Sequence, residues 1–145
     1  MNNCYIAYTD GAYSSARNQG GIGIIILKNN QEILRYSNMY KNTTNNQMEL
    51  GAIIITLRMI KKPIDSLIIY TDSQYCIGCA IQGWKRKKNK SLWQEFDNQY
   101  KRVKTLCPII EFKHIKGHQS GSTLTQDAMW NNYVDKLAVS ASISI

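Results

Sequence analysis

Asp10 and Asp72 each follow an apolar run, in Tyr8-Thr9-Asp10-Gly11 and Tyr70-Thr71-Asp72-Ser73. Functional groups in open α/β sheets collect at the carboxyl ends of strands, so the two aspartates could be neighbours there. Carboxylates brought to one point repel and rise in pKa unless cations neutralise them. A divalent cation that prefers hard oxygen ligands would suit that task. Each acid also has a local explanation. An Asp after a strand caps a turn or the next helix. With Asn46 as N-cap, Glu49 falls at the third helical position and completes a capping box. Asp135 lies mid-helix beside Lys136, as on a solvated face. His118, beside Gly117 in a polar loop, can exchange a proton near neutral pH, or be a surface histidine with no duty.

The elements that must position these residues are readable from pattern. Cys4 to Thr9 is a short strand ending at Asp10-Gly11, and Gly20 to Lys28 and Glu32 to Tyr40 are two more, joined by a hairpin at Asn29-Asn30. Leu50, Ile53, Ile54, Leu57 and Ile60 recur at helical spacing within Asn46 to Lys62, which Pro63 stops. Ser66 to Thr71 is an apolar strand of the kind buried on both faces. A helix from near Ser73 towards Trp84, a basic loop, and a helix from Ser91 to Leu106 follow. Ile109 to Ile115 is a strand, Gly117 to Thr125 a polar loop, and Gln126 to Ser142 a last helix. Strands in a meander followed by alternating α and β elements predict an α/β fold with a five-stranded mixed sheet flanked by helices.

The chain's 145 residues, 43% hydrophobic, suit one domain spanning 1–145 and are too apolar for a disordered tail. No apolar run approaches the ~20 residues of a membrane helix, and no secretory signal opens the chain, so a cytoplasmic protein is expected. The four cysteines include one C-x-x-C pair, Cys76 and Cys79, without the partners a zinc site needs. That pair sits inside a helix instead of opening one, so the cysteines read as structural. With 18 Lys+Arg against 10 Asp+Glu, the net charge of +8 points towards a polyanion.

Tyr8 to Gly11, Thr43 to Leu50, Tyr70 to Tyr75, Lys116-Gly117-His118 and Asn131 to Ala138 together resemble type 1 ribonuclease H, in that family's order. The resemblance implies the ribonuclease H-like fold and an endoribonuclease that cuts the RNA strand of RNA/DNA hybrids, leaving 5′-phosphate and 3′-hydroxyl ends with little sequence preference. It also implies two magnesium ions, typically ~4 Å apart, with manganese as a substitute. By that carry-over Asp10 bridges both ions, Asp135 helps hold the ion that activates water, and Glu49 and Asp72 hold the ion facing the leaving group. His118 becomes an assistant in proton transfer or product release. Gly11, Ala12, Asn45, Asn46 and Gln74 stand where the family contacts ribose 2′-hydroxyls, the groups that tell RNA from DNA. Thr44 resembles a hydroxyl that holds a DNA-strand phosphate.

Lys85-Arg86-Lys87-Lys88-Asn89-Lys90 places five positive charges in six residues just after Trp84. Cellular relatives often carry a longer basic handle here, with an extra helix that grips the hybrid, so the handle reads as cut back to a loop whose Lys85, Arg86, Lys87 and Lys88 are expected to contact the substrate. Trp84 reads equally as a substrate contact or a helix-end core anchor. Ser15-Ala16 replaces the family's usual Gly-Asn, with Arg17 or Asn18 as substitutes, and Asn42 stands where some relatives carry arginine. A monomeric, stand-alone enzyme is expected. The alternatives are the ribonuclease H portion of a viral or retroelement polyprotein, a binding module that keeps the fold without cutting, and a generic single-strand binder.

Overall fold

The computed structural model describes residues 2–116 and 125–145. Three antiparallel strands open the chain: β1 (Cys4–Ser14), β2 (Gln19–Lys28) and β3 (Gln31–Lys41). Asn29 and Asn30 both take positive φ, 49° and 69°, the conformation a two-residue hairpin with the right strand twist demands. The chain continues through α1 (Asn45–Met59), β4 (Ser66–Thr71), α2 (Gln74–Ile81), α3 (Lys90–Lys104), β5 (Ile109–His114) and α4 (Gln126–Ser142). Sheet order is β3-β2-β1-β4-β5, with β4 parallel to both β1 and β5. The expected five-stranded mixed sheet and its helices are all present.

The sheet separates two apolar layers. One joins Ile22, Ile24 and Ile26 of β2 to Leu50, Ile53 and Leu57 of α1 and to Trp93, Phe96 and Val103 of α3. The other, smaller layer packs Tyr8, Ile25 and Leu27 against Val134 of α4. Strand alternation explains the split, because successive β2 side chains point to opposite faces. Gly21 and Gly23 let α4 lie directly on the sheet: a Cβ on either would stand 2.1 Å from the Ala138 carbonyl oxygen or 2.5 Å from that of Val134.

Several boundaries differ from the sequence reading, each for a physical reason. β1 does not end at Asp10-Gly11, because Gly11 to Ser14 continue to pair with Ile22 to Gln19. α1 is capped by Thr44, whose hydroxyl oxygen accepts from the Gln47 amide, and not by Asn46. Glu49 is therefore two positions further along the helix than a capping box requires, and that explanation of it fails. α1 ends at Met59, before Lys62, where Arg102 of α3 donates to the carbonyls of Leu57 and Ile60 at 2.8 and 2.7 Å. β4 buries Leu67, Ile69 and Thr71 but leaves Ser66, Ile68 and Tyr70 half-buried. Its second face is only partly covered, since α4 lies over β1, β2 and β3.

Cys76, Cys79 and Cys107 are buried and Cys4 is exposed, all as free thiols. Burial pushes the Cys76 thiol up to about 12, which keeps it protonated and unreactive, in accord with a structural reading.

Candidate active site

β1 has an antiparallel neighbour on one side and a parallel neighbour on the other. Its pairing with β4 stops at Tyr8–Tyr70, while its pairing with β2 runs on to Ser14. The sheet splits there, and Asp10 and Asp72, two residues beyond the last paired tyrosines, stand at the opening. The first turns of α1 and α2 flank it, and a cleft of about 460 Å³ results. Asp10, Gly11, Ala12, Asn45, Asn46, Glu49, Asp72, Gln74 and Asp135 all line this cleft.

Gly11 permits the closest approach in the site. A Cβ there would stand 2.3 Å from the Glu49 amide nitrogen and 2.4 Å from the Met48 carbonyl carbon. With no side chain in the way, α1 brings Glu49 alongside β1. Ligand oxygens of Asp10, Glu49 and Asp72 consequently lie within 4.8 Å of one another. Asp135 reaches the cleft from α4 and is half-buried, not on the solvated face that Lys136 suggested.

The electrostatics are those of carboxylates crowded without cations. Asp10 is 1% exposed, and burial raises its carboxyl far above the ordinary range, reinforced by the charges of Glu49 and Asp72 and by a hydrogen bond with Asp135. Burial also pushes Glu49 up to about 8; the Asp72 charge adds to this, while hydrogen bonds from Asp10 and the Gly11 backbone oppose it. The Gly11 amide donates to Asp10 Oδ1 at 2.9 Å. Asp10 Oδ2 and Glu49 Oε2 are buried with no hydrogen-bond partner among the described residues. Buried acceptors are costly to leave unpaired, and hard oxygens in this arrangement fit a divalent cation.

The remaining expected residues fall into four groups. Asn45, Asn46 and Gln74 are exposed in the first turns of α1 and α2, facing the cleft. Thr44 lies at the α1 cap outside the cleft lining. His118 lies outside the described residues. The segment between α2 and α3 is the short basic loop expected. Gly83 turns it with φ 75°, folding Trp84 back so that its ring covers Gly78 while remaining 49% exposed. Trp84 thus anchors the helix end with one face and offers the other to solvent. Lys85, Lys87 and Lys88 are exposed.

Arg86 differs from its neighbours. Its Nη1 donates to both Asp97 carboxylate oxygens at 2.9 and 2.7 Å, its Nε donates to the Cys79 carbonyl at 3.1 Å, and the guanidinium lies 4.5 Å over the Trp93 ring. These contacts tie α2 to α3. Arg86→Ala is expected to destabilise the fold by about 2 kcal/mol, the scale of a cation–π contact plus a charged hydrogen bond. Chemical denaturation checks this.

Tyr13, Ser73 and Tyr75 also line the cleft and were not singled out from sequence. Tyr13 follows from the continuation of β1, and its hydroxyl donates to Asn18 Oδ1 at 2.6 Å. Tyr75 accepts from Trp93 Nε1 and Asn89 Nδ2 at 2.9 and 3.1 Å, linking the basic loop to the cleft. His114, the other histidine, hydrogen-bonds through Nε2 with the Asp72 carbonyl at 3.2 Å.

The sequence model of the RNase H family matches residues 2–143. A ribonuclease H from Acetivibrio thermocellus is 37% identical over 145 aligned positions, covering 90% of this chain and 89% of that protein. Among solved structures, the protease–reverse transcriptase of prototype foamy virus superposes with a TM-score of 0.76 at 23% identity. The match covers 97% of this chain and 21% of the viral one. LC11 ribonuclease H1, solved in complex with an RNA/DNA hybrid, superposes at 0.67 with 22% identity, over 94% of this chain and 95% of that one. The split sheet and its carboxylate cleft therefore belong to a member of the ribonuclease H family of endoribonucleases.

Proposed function

We propose that the 145 residues form one catalytic domain that hydrolyses the RNA strand of RNA/DNA hybrids, with little sequence preference, to 5′-phosphate and 3′-hydroxyl ends. The observation that carries this reading is the convergence of Asp10, Glu49 and Asp72 at the split, two of them with buried, unpartnered oxygens. A ribonuclease H relative matched over most of its length supports the substrate class.

Asp10, Glu49, Asp72 and Asp135 would hold magnesium, or manganese in its place. When bound, two such ions supply activation of the attacking water and stabilisation of the leaving oxygen in an in-line displacement. The chain's own groups do the rest. Asp10, buried at 1% exposure, would serve both ions, with Asp135 helping to hold the ion that activates water and Glu49 and Asp72 the ion facing the leaving group. His118 carries a proton near neutral pH during water attack or product release. Asn45, Asn46, Gln74 and the Gly11–Ala12 backbone face the RNA strand, where 2′-hydroxyls offer both donors and acceptors. Thr44 holds a DNA-strand phosphate. The domain acts as a cytoplasmic monomer; among the described residues no helix is long and apolar enough to cross a membrane.

The test is to incubate a labelled hybrid, the matched duplex DNA and the matched duplex RNA with the protein, with and without magnesium. Hybrid-only, magnesium-dependent RNA cleavage is expected. Tight hybrid binding with no product in magnesium or manganese would leave a binding module and defeat the enzymatic reading.

Lys85, Lys87 and Lys88 are proposed to contact phosphates, and the exposed face of Trp84 to lie against a DNA-strand sugar or base. Replacing the three lysines by glutamine is expected to reduce the slope of log affinity against log salt by about 2–3, given roughly 0.9 per phosphate contact. Binding isotherms at several salt concentrations check this, and an unchanged slope would place the loop away from the hybrid.

A further inference from the structure

Tyr8 and Tyr70 face each other across the parallel β1–β4 register, their rings stacked 5.0 Å apart and 6° from parallel. Both hydroxyls converge on one carboxylate from the helical layer: Tyr8 donates to Oδ1 of Asp127, and Tyr70 donates to Oδ2 at 3.2 Å. Tyr8 is 1% exposed, and the Trp130 ring stacks on it at 6.2 Å. None of these residues lines the cleft. Their positions nevertheless index it. Tyr8 stands two residues before Asp10, Tyr70 two before Asp72, and Asp127 in the first turn of α4 eight residues before Asp135.

Residues four apart in a helix share a face, so Asp127, Asn131 and Asp135 form one row. Asn131, in the middle, is 1% exposed. A helix is a stiff element rising ~1.5 Å per residue. Fixing its first turn on two adjacent strands fixes the line along which its third turn meets them. Apolar packing alone tolerates small sliding and rotation, whereas a carboxylate held at both oxygens by two donors on different strands does not.

We propose that Asp127 is a positioning residue: by taking both tyrosine hydroxyls it seats α4 on the strands bearing Asp10 and Asp72, and so places Asp135 against them. This rests on the function proposed above, with Asp135 completing the cation site. Because Asp127 acts through the seating of α4, its loss is expected at the lower end of the ~10–100-fold seen when a group bonded directly to a metal ligand is removed.

The test uses Tyr70→Phe, which keeps the stacked ring and removes one donor, together with Asp127→Ala and the double variant. Two quantities are read: kcat and KM on a hybrid in saturating magnesium, and manganese affinity of the free protein from the electron paramagnetic resonance signal of unbound manganese. Asp127→Ala is expected to lower kcat about tenfold and weaken manganese binding several-fold, with KM within about twofold. Tyr70→Phe gives a smaller change in the same direction, and adding it to Asp127→Ala costs little more, because both break one contact. Were kcat and manganese affinity in folded Tyr70→Phe and Asp127→Ala both within twofold of wild type, whatever their melting temperatures, the contact would only hold the fold together and the proposal would be overturned. Absence of hybrid cleavage by the wild-type protein would defeat the functional reading instead, and the manganese measurement would still decide the role of Asp127.

Discussion

Asp10→Asn is expected to lower hybrid cleavage by on the order of 10³-fold or more, a loss of about 4 kcal/mol of transition-state stabilisation, while raising the melting temperature of the metal-free protein by several degrees. The two effects share a cause. Asp10 is buried between Glu49 and Asp72 with one oxygen unpartnered. Ionised, it meets desolvation and two like charges. The isosteric amide removes that repulsion and, with it, the ligand both halves of the cluster share. A pH series separates this from ordinary loss of a side chain. Because folding raises the Asp10 and Glu49 pKa values, the folded state binds more protons than the unfolded state above the ordinary carboxylate range of about 4. The sign is therefore negative: metal-free stability is greatest below that range and falls as pH rises towards the Glu49 value of about 8. The fall should be shallower in Asp10→Asn. Magnesium, by binding only the folded state, should restore stability near neutral pH in the wild type far more than in the variant. Thermal melts at pH 4 to 8 with and without magnesium check each sign.

Gly11→Ala carries the second large effect. The added methyl would stand 2.3 Å from a backbone nitrogen and 2.4 Å from a carbonyl carbon of α1, atoms that cannot rotate away. α1 must shift from β1, which costs about 3 kcal/mol, the upper range for overpacking. The shift acts on Glu49 directly, because the clashing nitrogen is its own. Cleavage should therefore fall about 100-fold or more even at temperatures where the variant remains folded. A denaturation curve and a rate measurement on the same preparation test both halves. A variant that loses stability but keeps wild-type kcat would show that α1 recovers its place when substrate binds.

Much of this was legible because local and global preferences agree. The span of α4, Gln126 to Ser142, is the one expected, with Thr125 capping it through the Ala128 amide. Asn29-Asn30 announced its hairpin because few residues other than glycine tolerate two successive positive φ values. The errors occur where a local signal had a tertiary competitor. Asp10-Gly11 has the composition of a turn, yet β2 supplies pairing partners as far as Gln19, so the strand continues and the glycine serves helix approach. Asn46 is a good helix cap by composition, yet Thr44, two residues earlier, takes that place. The choice of Thr44 leaves Gln47 free to donate from Nε2 to Asn89 Oδ1 at 3.1 Å, a contact with a residue 42 positions away. Arg86 sits inside a charge run expected to contact substrate; its place over Trp93, set by the α2–α3 packing, is a structural duty that the run does not announce. Asp127 belongs to none of the blocks that carried the resemblance, and only the β1–β4 register brings two tyrosines to it. Among the four acids, Asp10 and Asp72 were the easiest to read, since each follows an apolar run and stands just past the last β1–β4 pair, Tyr8–Tyr70, where the sheet opens. Glu49 and Asp135 each had a local explanation that only packing removes.

In the proposed reaction the carboxylate cleft cuts RNA by water attack supported by divalent cations. Its most direct measurement is single-turnover cleavage of an end-labelled hybrid across magnesium concentrations, with the chemistry of the new RNA ends identified. Expected are no cleavage without the cation, a rate rising more steeply than first order in magnesium at low concentration, and products with 5′-phosphate and 3′-hydroxyl termini. Cleavage persisting in chelator, with 2′,3′-cyclic phosphate and 5′-hydroxyl termini, would contradict the proposed reaction, because that outcome marks attack by the neighbouring ribose hydroxyl without the cluster.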